Sequence, residues 1–151
     1  MEKIWTPRRS VRLSLVATYL CTALLLVLIF TLPALLRWYF QYYRGAEPLT
    51  HLLLTVFYVC CPAGAGALAA LARLLHNIEA GRIFVHQNVA MLRALSWACL
   101  YVTLAALIAG FFYLPLWMFA GAAGFFALIL RVVKNVMAQA TILREENDLT
   151  I

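Results

Sequence analysis

Charged residues are scarce in this sequence. Asp, Glu, Lys and Arg make up 12% of its 151 residues, against about a quarter in soluble domains. Acidic residues are the scarcer kind, since there are six Asp and Glu against twelve Lys and Arg. By contrast, 66% of the chain is hydrophobic. A single soluble domain of this length cannot hide so much apolar surface. The lipid bilayer must therefore serve as part of its solvent.

The patterns that mark enzymes and metal sites are also missing. The four cysteines lie in apolar runs without C-x-x-C spacing. His51, His76 and His86 do not show metal-ligand spacing. There is no nucleophile motif, phosphate-binding glycine loop or pair of catalytic carboxylates. We therefore predict a protein that is not an enzyme and binds no metal or cofactor.

Long runs without a charge take the place of these motifs. A helix needs about 20 apolar residues to cross ~30 Å of hydrocarbon. Residues 13–36 and 49–72 are two such runs, and residues 94–130 form a third that is too long for one crossing. Pro115, near its midpoint, predicts a break, and Gly81 predicts where an extension of the second helix stops. The predicted spans are 13–36, 49–72, 94–113 and 116–133, with a single long tilted helix over the third run as the alternative.

Basic residues are distributed unequally between the two sides that four spans define. The N-terminus, a loop at 73–93 and a tail at 134–151 share one side, which holds ten of the twelve Lys and Arg residues if Arg131 is counted with the tail. The other side has Arg37 and Arg44. Because Lys and Arg are enriched in cytoplasmic segments, both termini are predicted in the cytoplasm.

The fourth helix is predicted to continue out of the membrane as an amphipathic extension. Arg131, Asn135 and Gln139 form a polar stripe at helical spacing. The complementary apolar stripe consists of Val132, Val133, Val136, Met137, Ala140 and Leu143.

The acidic end of the tail is the most informative exposed feature. Glu145, Glu146 and Asp148 would oppose the helix dipole, at about 0.3–1 kcal/mol each. Three interpretations stay open: the acidic end meets Arg82 and Arg93 of the loop, it meets a partner protein, or it frays in water.

Polar groups within the spans are few. No Asp or Glu lies in any of the four spans, which argues against a proton-coupled carrier. Ser14, Thr18 and Thr22 recur every four residues. They could line a polar path, but hydroxyls bonded to backbone or across a helix interface are the preferred interpretation.

Small residues are concentrated in two of the spans, and they allow helix backbones to approach closely. One set is the run after Pro62, and the other is Ala120, Gly121 and Gly124. They predict packing surfaces, either within the chain or in a homodimer.

Two blocks in the second half of the chain carry a resemblance to a known family. They are Asn77-Ile78-Glu79-Ala80-Gly81-Arg82-Ile83-Phe84 with Asn88 and Leu92-Arg93, and residues 130–136 with Gln139-Ala140 and 145–151. These blocks resemble a family of small bacterial membrane proteins known as domain of unknown function 2975. Val85-His86-Gln87 departs from the family pattern, which leads one to expect a hydroxyl and acids before Asn88. The resemblance implies four spans and a cytoplasmic tail in a bacterial inner membrane. It implies no activity, and it associates the family only with neighbouring genes for small helix-turn-helix regulators.

The predicted fold is therefore all-α: a polytopic membrane protein whose four transmembrane helices form two hairpins, with an amphipathic cytoplasmic extension of the fourth helix. The predicted function is regulation or interaction, in which the loop and tail bind a soluble cytoplasmic partner such as a helix-turn-helix regulator, without direct contact to nucleic acid. A small transporter or channel subunit is the alternative. The candidate partner-binding residues are Gly81, Phe84, Asn88, Arg93, Asn135, Gln139, Glu145, Glu146 and Asp148.

Overall fold

A computed structural model describes residues 7–41 and 47–150 of the protein. The predicted outer residue Arg44 and the last residue of the second block, Ile151, lie outside these ranges. The described chain consists of helices and the turns between them. The helices are α1 (Pro7–Phe40), α2 (Glu47–Glu79), α3 (His86–Gly110) and α4 (Pro115–Leu149).

All four helices are long and apolar enough to cross a membrane. Three of them contain a whole predicted span, and α3 contains the span 94–113 except for its last three residues. The all-helical, four-span prediction is therefore confirmed at this level. The chain also breaks between Gly110 and Pro115. Residues 94–130 therefore do not form one long helix.

The break between α3 and α4 has a clear local cause. Pro115 occupies the first turn of α4, where its missing N–H removes no helical hydrogen bond. The preceding backbone turns tightly, with the Phe112 N–H donating to the Ala109 carbonyl at 3.0 Å. Phe111 and Trp117 then meet edge to face, with ring centroids 5.6 Å apart. Together these contacts bring the start of α4 back against the end of α3.

The predicted polar loop at 73–93 is mostly helical. α2 continues to Glu79 and α3 begins at His86, which leaves only residues 80–85 between them. A charged residue marks where a helix meets water, and it does not end the helix. The helix stop is Gly81, as predicted, with a φ of 76° that suits glycine.

The end of α2 is a Schellman motif. The Arg82 N–H donates to the Asn77 carbonyl at 2.9 Å, and the Gly81 N–H donates to the Ile78 carbonyl at 3.0 Å. This pair of bonds satisfies carbonyls that the helix end would otherwise leave without partners.

The helices pack in chain order, α1 on α2, α2 on α3 and α3 on α4. Small residues carry much of the contact between α3 and α4, because Ala106, Ala109, Ala120 and Ala127 are all buried. The predicted packing role thus holds for Ala120. Gly121, by contrast, has open space where a Cβ would stand.

Hydroxyl groups on α1 bond to the backbone of their own helix. Thr18 Oγ1 donates to the Ser14 carbonyl at 2.8 Å, and Thr22 Oγ1 donates to the Thr18 carbonyl at 2.9 Å. The preferred interpretation is therefore confirmed for both threonines. One polar contact between α1 and α2 comes from Tyr58, whose hydroxyl donates to the Ile29 carbonyl of α1 at 2.8 Å.

α4 extends well past its apolar segment. At 1.5 Å per residue, the part from Arg131 to Leu149 is about 27 Å long. Within its predicted apolar stripe, Met137 and Ala140 are half-buried, but Val132 and Val136 are exposed. Most of this stripe therefore does not pack on the rest of the chain.

We predict that Gly110→Ala destabilises the fold by about 1–3 kcal/mol, because its Cβ would overpack the α3–α4 contact. That Cβ would stand 1.6 Å from Trp117 Cδ1. The control is Gly121→Ala, where a Cβ meets nothing within 4 Å and the better helix propensity of alanine applies. Unfolding by SDS titration in mixed micelles, followed by circular dichroism, measures both. Equal stabilities of the two variants would contradict the packing described here.

Candidate functional site

One end of the molecule gathers most of its charge. We call it the charged end and define it as residues 7–12, 73–93 and 131–150. Within the described ranges, two side-chain contacts join its helices. Arg12 forms an ion pair with Glu79, with Nε 3.0 Å from Oε1, and His86 Nε2 lies 3.0 Å from Glu145 Oε1. The start of α1, the end of α2, the start of α3 and the end of α4 therefore lie at the same end.

Asn88 organises the loop at the charged end. Its side chain is fully buried, and its Nδ2 donates to the carbonyls of Arg82 and Ile83, both at 2.8 Å. Its Oδ1 accepts a bond from Asn77 Nδ2 at 2.9 Å. One amide thus joins the last turn of α2, the loop and the first turn of α3. A buried amide is tolerated because each of its groups has a partner.

The end of α4 rests on this loop. Besides the His86–Glu145 pair, the Arg144 guanidinium carbon lies 5.9 Å from the centre of the Phe84 ring, a distance suited to a cation–π contact. Thr141, one turn earlier, is almost completely buried. Exposed ion pairs contribute about 0–1 kcal/mol. The burial of Thr141 adds packing to these exposed contacts.

The acidic tail does meet the loop, but not through the predicted arginines. Its partner there is His86. Neither Arg82 nor Arg93 forms an ion pair with a carboxylate of the described residues. Glu146 is exposed and, within the same ranges, is also in no ion pair.

The predicted site residues separate into two groups. Asn88 is fully buried, so a partner protein cannot contact it. Gly81 provides the positive φ angle that the Schellman motif requires. Both belong to the architecture of the loop. The remaining candidates are exposed and available for contact: Phe84, Arg93, Asn135, Gln139, Glu145, Glu146 and Asp148.

Sequence reasoning missed several contributors. Asn77 stood in the first block, but nothing in the pattern indicated that its amide would reach Asn88. His86 was noted as a histidine without metal-ligand spacing and as a departure from the family pattern, yet it contacts Glu145. Thr141 carried no signal, since a lone threonine in a helix has no evident role.

Two grooves open at the charged end. One, of about 150 Å³, lies between α3 and α4, and the other, of about 300 Å³, lies over α2 between α1 and α3. The first is lined by Arg93, Ser96, Trp97, Leu100, Arg131 and Lys134. The second is lined by Tyr19, Ala72, Arg73, His76, Asn77 and Gln87.

Four apolar helices and a charged end define a multi-pass helical membrane protein. The family model described as Protein of unknown function (DUF2975) matches residues 6–151. The chain therefore belongs to that family, and the match covers the first two helices as well as the two blocks. No curated protein and no solved structure matches the chain.

We predict that Asn88→Ala lowers the free energy of unfolding by about 1–3 kcal/mol, because it leaves the half-buried Asn77 amide and two loop carbonyls without their Asn88 partner. Asn135→Ala, at an exposed position on α4, should change stability by less than about 0.5 kcal/mol. SDS titration followed by circular dichroism compares them. The account of the loop is wrong if the two losses are equal.

A second prediction concerns the end of α4. Glu145→Gln removes the charge that faces His86, whereas Glu146→Gln removes an exposed charge without a partner in the described chain. Amide hydrogen exchange over residues 143–149 should become faster in the first variant only, because local opening depends on the contacts that hold a segment. Equal exchange in both variants would show that the His86 contact does not hold α4.

Proposed function

We propose that this protein is a membrane-anchored interaction protein without enzymatic activity. Its helices cross the bilayer as two hairpins, both termini lie in the cytoplasm, and the charged end binds a soluble partner. The amphipathic final part of α4 is the element that the partner meets.

The observation that carries this proposal is the docked helix beyond Arg131. It projects about 27 Å past the apolar segment and is held by His86 and the buried Thr141. Asn135, Gln139 and Glu146 are exposed along it. A helix that is already ordered loses less conformational entropy on binding than a frayed tail would.

The charge of this helix end indicates the chemistry of the partner. Glu146 and Asp148 are exposed, and Asp148 has only a long contact of 3.9 Å to Arg144. An acidic helix end suits a basic protein surface. DNA-binding regulators carry such surfaces, and the family resemblance already associates these proteins with helix-turn-helix regulators. A regulator held through its basic surface would be kept away from DNA.

The transporter alternative gains no support from the geometry. A path for a polar solute needs polar groups that face it. Thr18 and Thr22, the hydroxyls that could have lined one, are bonded to their own helix.

Site-specific photo-crosslinking in native membranes tests the proposal. A photoreactive residue at Gln139 should capture one soluble basic protein. The same residue at Arg37, exposed at the opposite end of α1, should not. Removing two charges with Glu146→Gln and Asp148→Asn should reduce capture at position 139 severalfold, because the attraction across the interface falls.

Two results would contradict the proposal. One is the absence of a soluble product at position 139. The other is the same set of products at positions 139 and 37, which would indicate unspecific capture.

A further inference from the structure

The groove between α3 and α4 combines positive charge with apolar surface. Arg93 comes from α3, and Arg131 and Lys134 come from α4. Trp97 and Leu100 continue the lining along α3. The cationic lining matches the charged group of an amphipathic anion, and the apolar lining matches its hydrocarbon part.

The three cations of the groove are not neutralised by the described chain. None of them forms an ion pair with a described carboxylate. The Ser96 hydroxyl donates to the Ala127 carbonyl at 3.3 Å and so is already engaged. Like charges that share a groove repel each other, and a bound anion relieves that repulsion. Arg in particular binds phosphate through paired N–H groups.

The depth of the groove matches the edge of the hydrocarbon. Arg93 is the last charged residue before the uncharged stretch 94–130, and Arg131 is the first after it. From Arg93 to Gly110 the helix rises about 26 Å, and from Pro115 to Arg131 about 24 Å. These lengths approach the ~30 Å thickness of the hydrocarbon core. The cations therefore lie where lipid headgroups begin.

The apolar side of the groove continues from the cations into the hydrocarbon. Trp97 and Leu100 lie four and seven residues after Arg93, so they are about one and two turns deeper along α3. Trp97 is 61% exposed, which leaves its ring free to contact a lipid chain, and tryptophan favours this interfacial depth.

We propose that this groove binds one anionic phospholipid from the leaflet at the charged end. The phosphate lies among Arg93, Arg131 and Lys134, and an acyl chain runs along Trp97 and Leu100. Free phosphate shares the headgroup chemistry but would leave the apolar lining uncovered. This site shares Arg93 with the candidate partner-binding residues, but the lipid proposal does not depend on the proposed partner.

Native mass spectrometry of the full chain in mild detergent, titrated with phosphatidylglycerol, tests the proposal. The groove variant Arg93→Gln with Arg131→Gln should raise the half-saturating lipid concentration by at least about tenfold. The control, Arg73→Gln with Arg82→Gln, removes the same charge from the same end outside the groove. It should stay within about twofold of the native chain.

A conservative variant shows whether weaker binding comes from lost charge or from a folding defect. Arg93→Lys with Arg131→Lys keeps the charge and should still prefer phosphatidylglycerol to phosphatidylcholine. Circular dichroism shows whether each variant keeps its helices.

Three outcomes would overturn the proposal. Equal weakening in the groove and control variants would mean general surface attraction. Equal binding of phosphatidylcholine by the native chain would mean that the cations do not select the headgroup. Displacement of the lipid by inorganic phosphate at equal concentration would mean a phosphate site that makes no use of the acyl chain.

Discussion

The charged end depends on one buried amide. Asn88 accepts a hydrogen bond from Asn77 and donates to the carbonyls of Arg82 and Ile83, so α2, the loop and α3 are fixed relative to one another by a single side chain. The loop then presents Phe84 and His86 to the end of α4. The exposed surface of the charged end is thus held in place by hydrogen bonds of the buried Asn88 side chain.

The membrane sets the second constraint. Helices that pack only on their chain neighbours, with few large buried side chains, leave most apolar surface uncovered. In water, so much uncovered apolar surface would make the fold unstable. In lipid the same surface is solvated, and small residues suffice for close packing. Backbone groups must still be satisfied, and the hydrogen-bonded turns at residues 80–82 and 111–113 meet that need. The proposed partner contact lies where the helices leave the hydrocarbon.

The sequence predicted the four helices but not the contacts that form at their ends. Runs without charge, Pro115 and Gly81 predicted the number of helices, the break and the stop of α2, because each acts locally. α2 extends through Arg73 to Glu79, up to the stop that Gly81 predicted, because charge reports the water boundary and not helix termination. The Asn77–Asn88 pair and the Arg93–Arg131–Lys134 groove could not be read from the sequence. Both depend on how a turn and an antiparallel register bring distant residues together.

The Asn88 amide organises the loop and, through the loop, the end of α4. Amide hydrogen exchange of residues 80–88 and 141–149, compared between the native chain and Asn88→Leu, measures this coupling. We expect both segments to lose protection together in the variant. Loss of protection confined to residues 80–88, with the end of α4 unchanged, would show that Asn88 does not organise the end of α4.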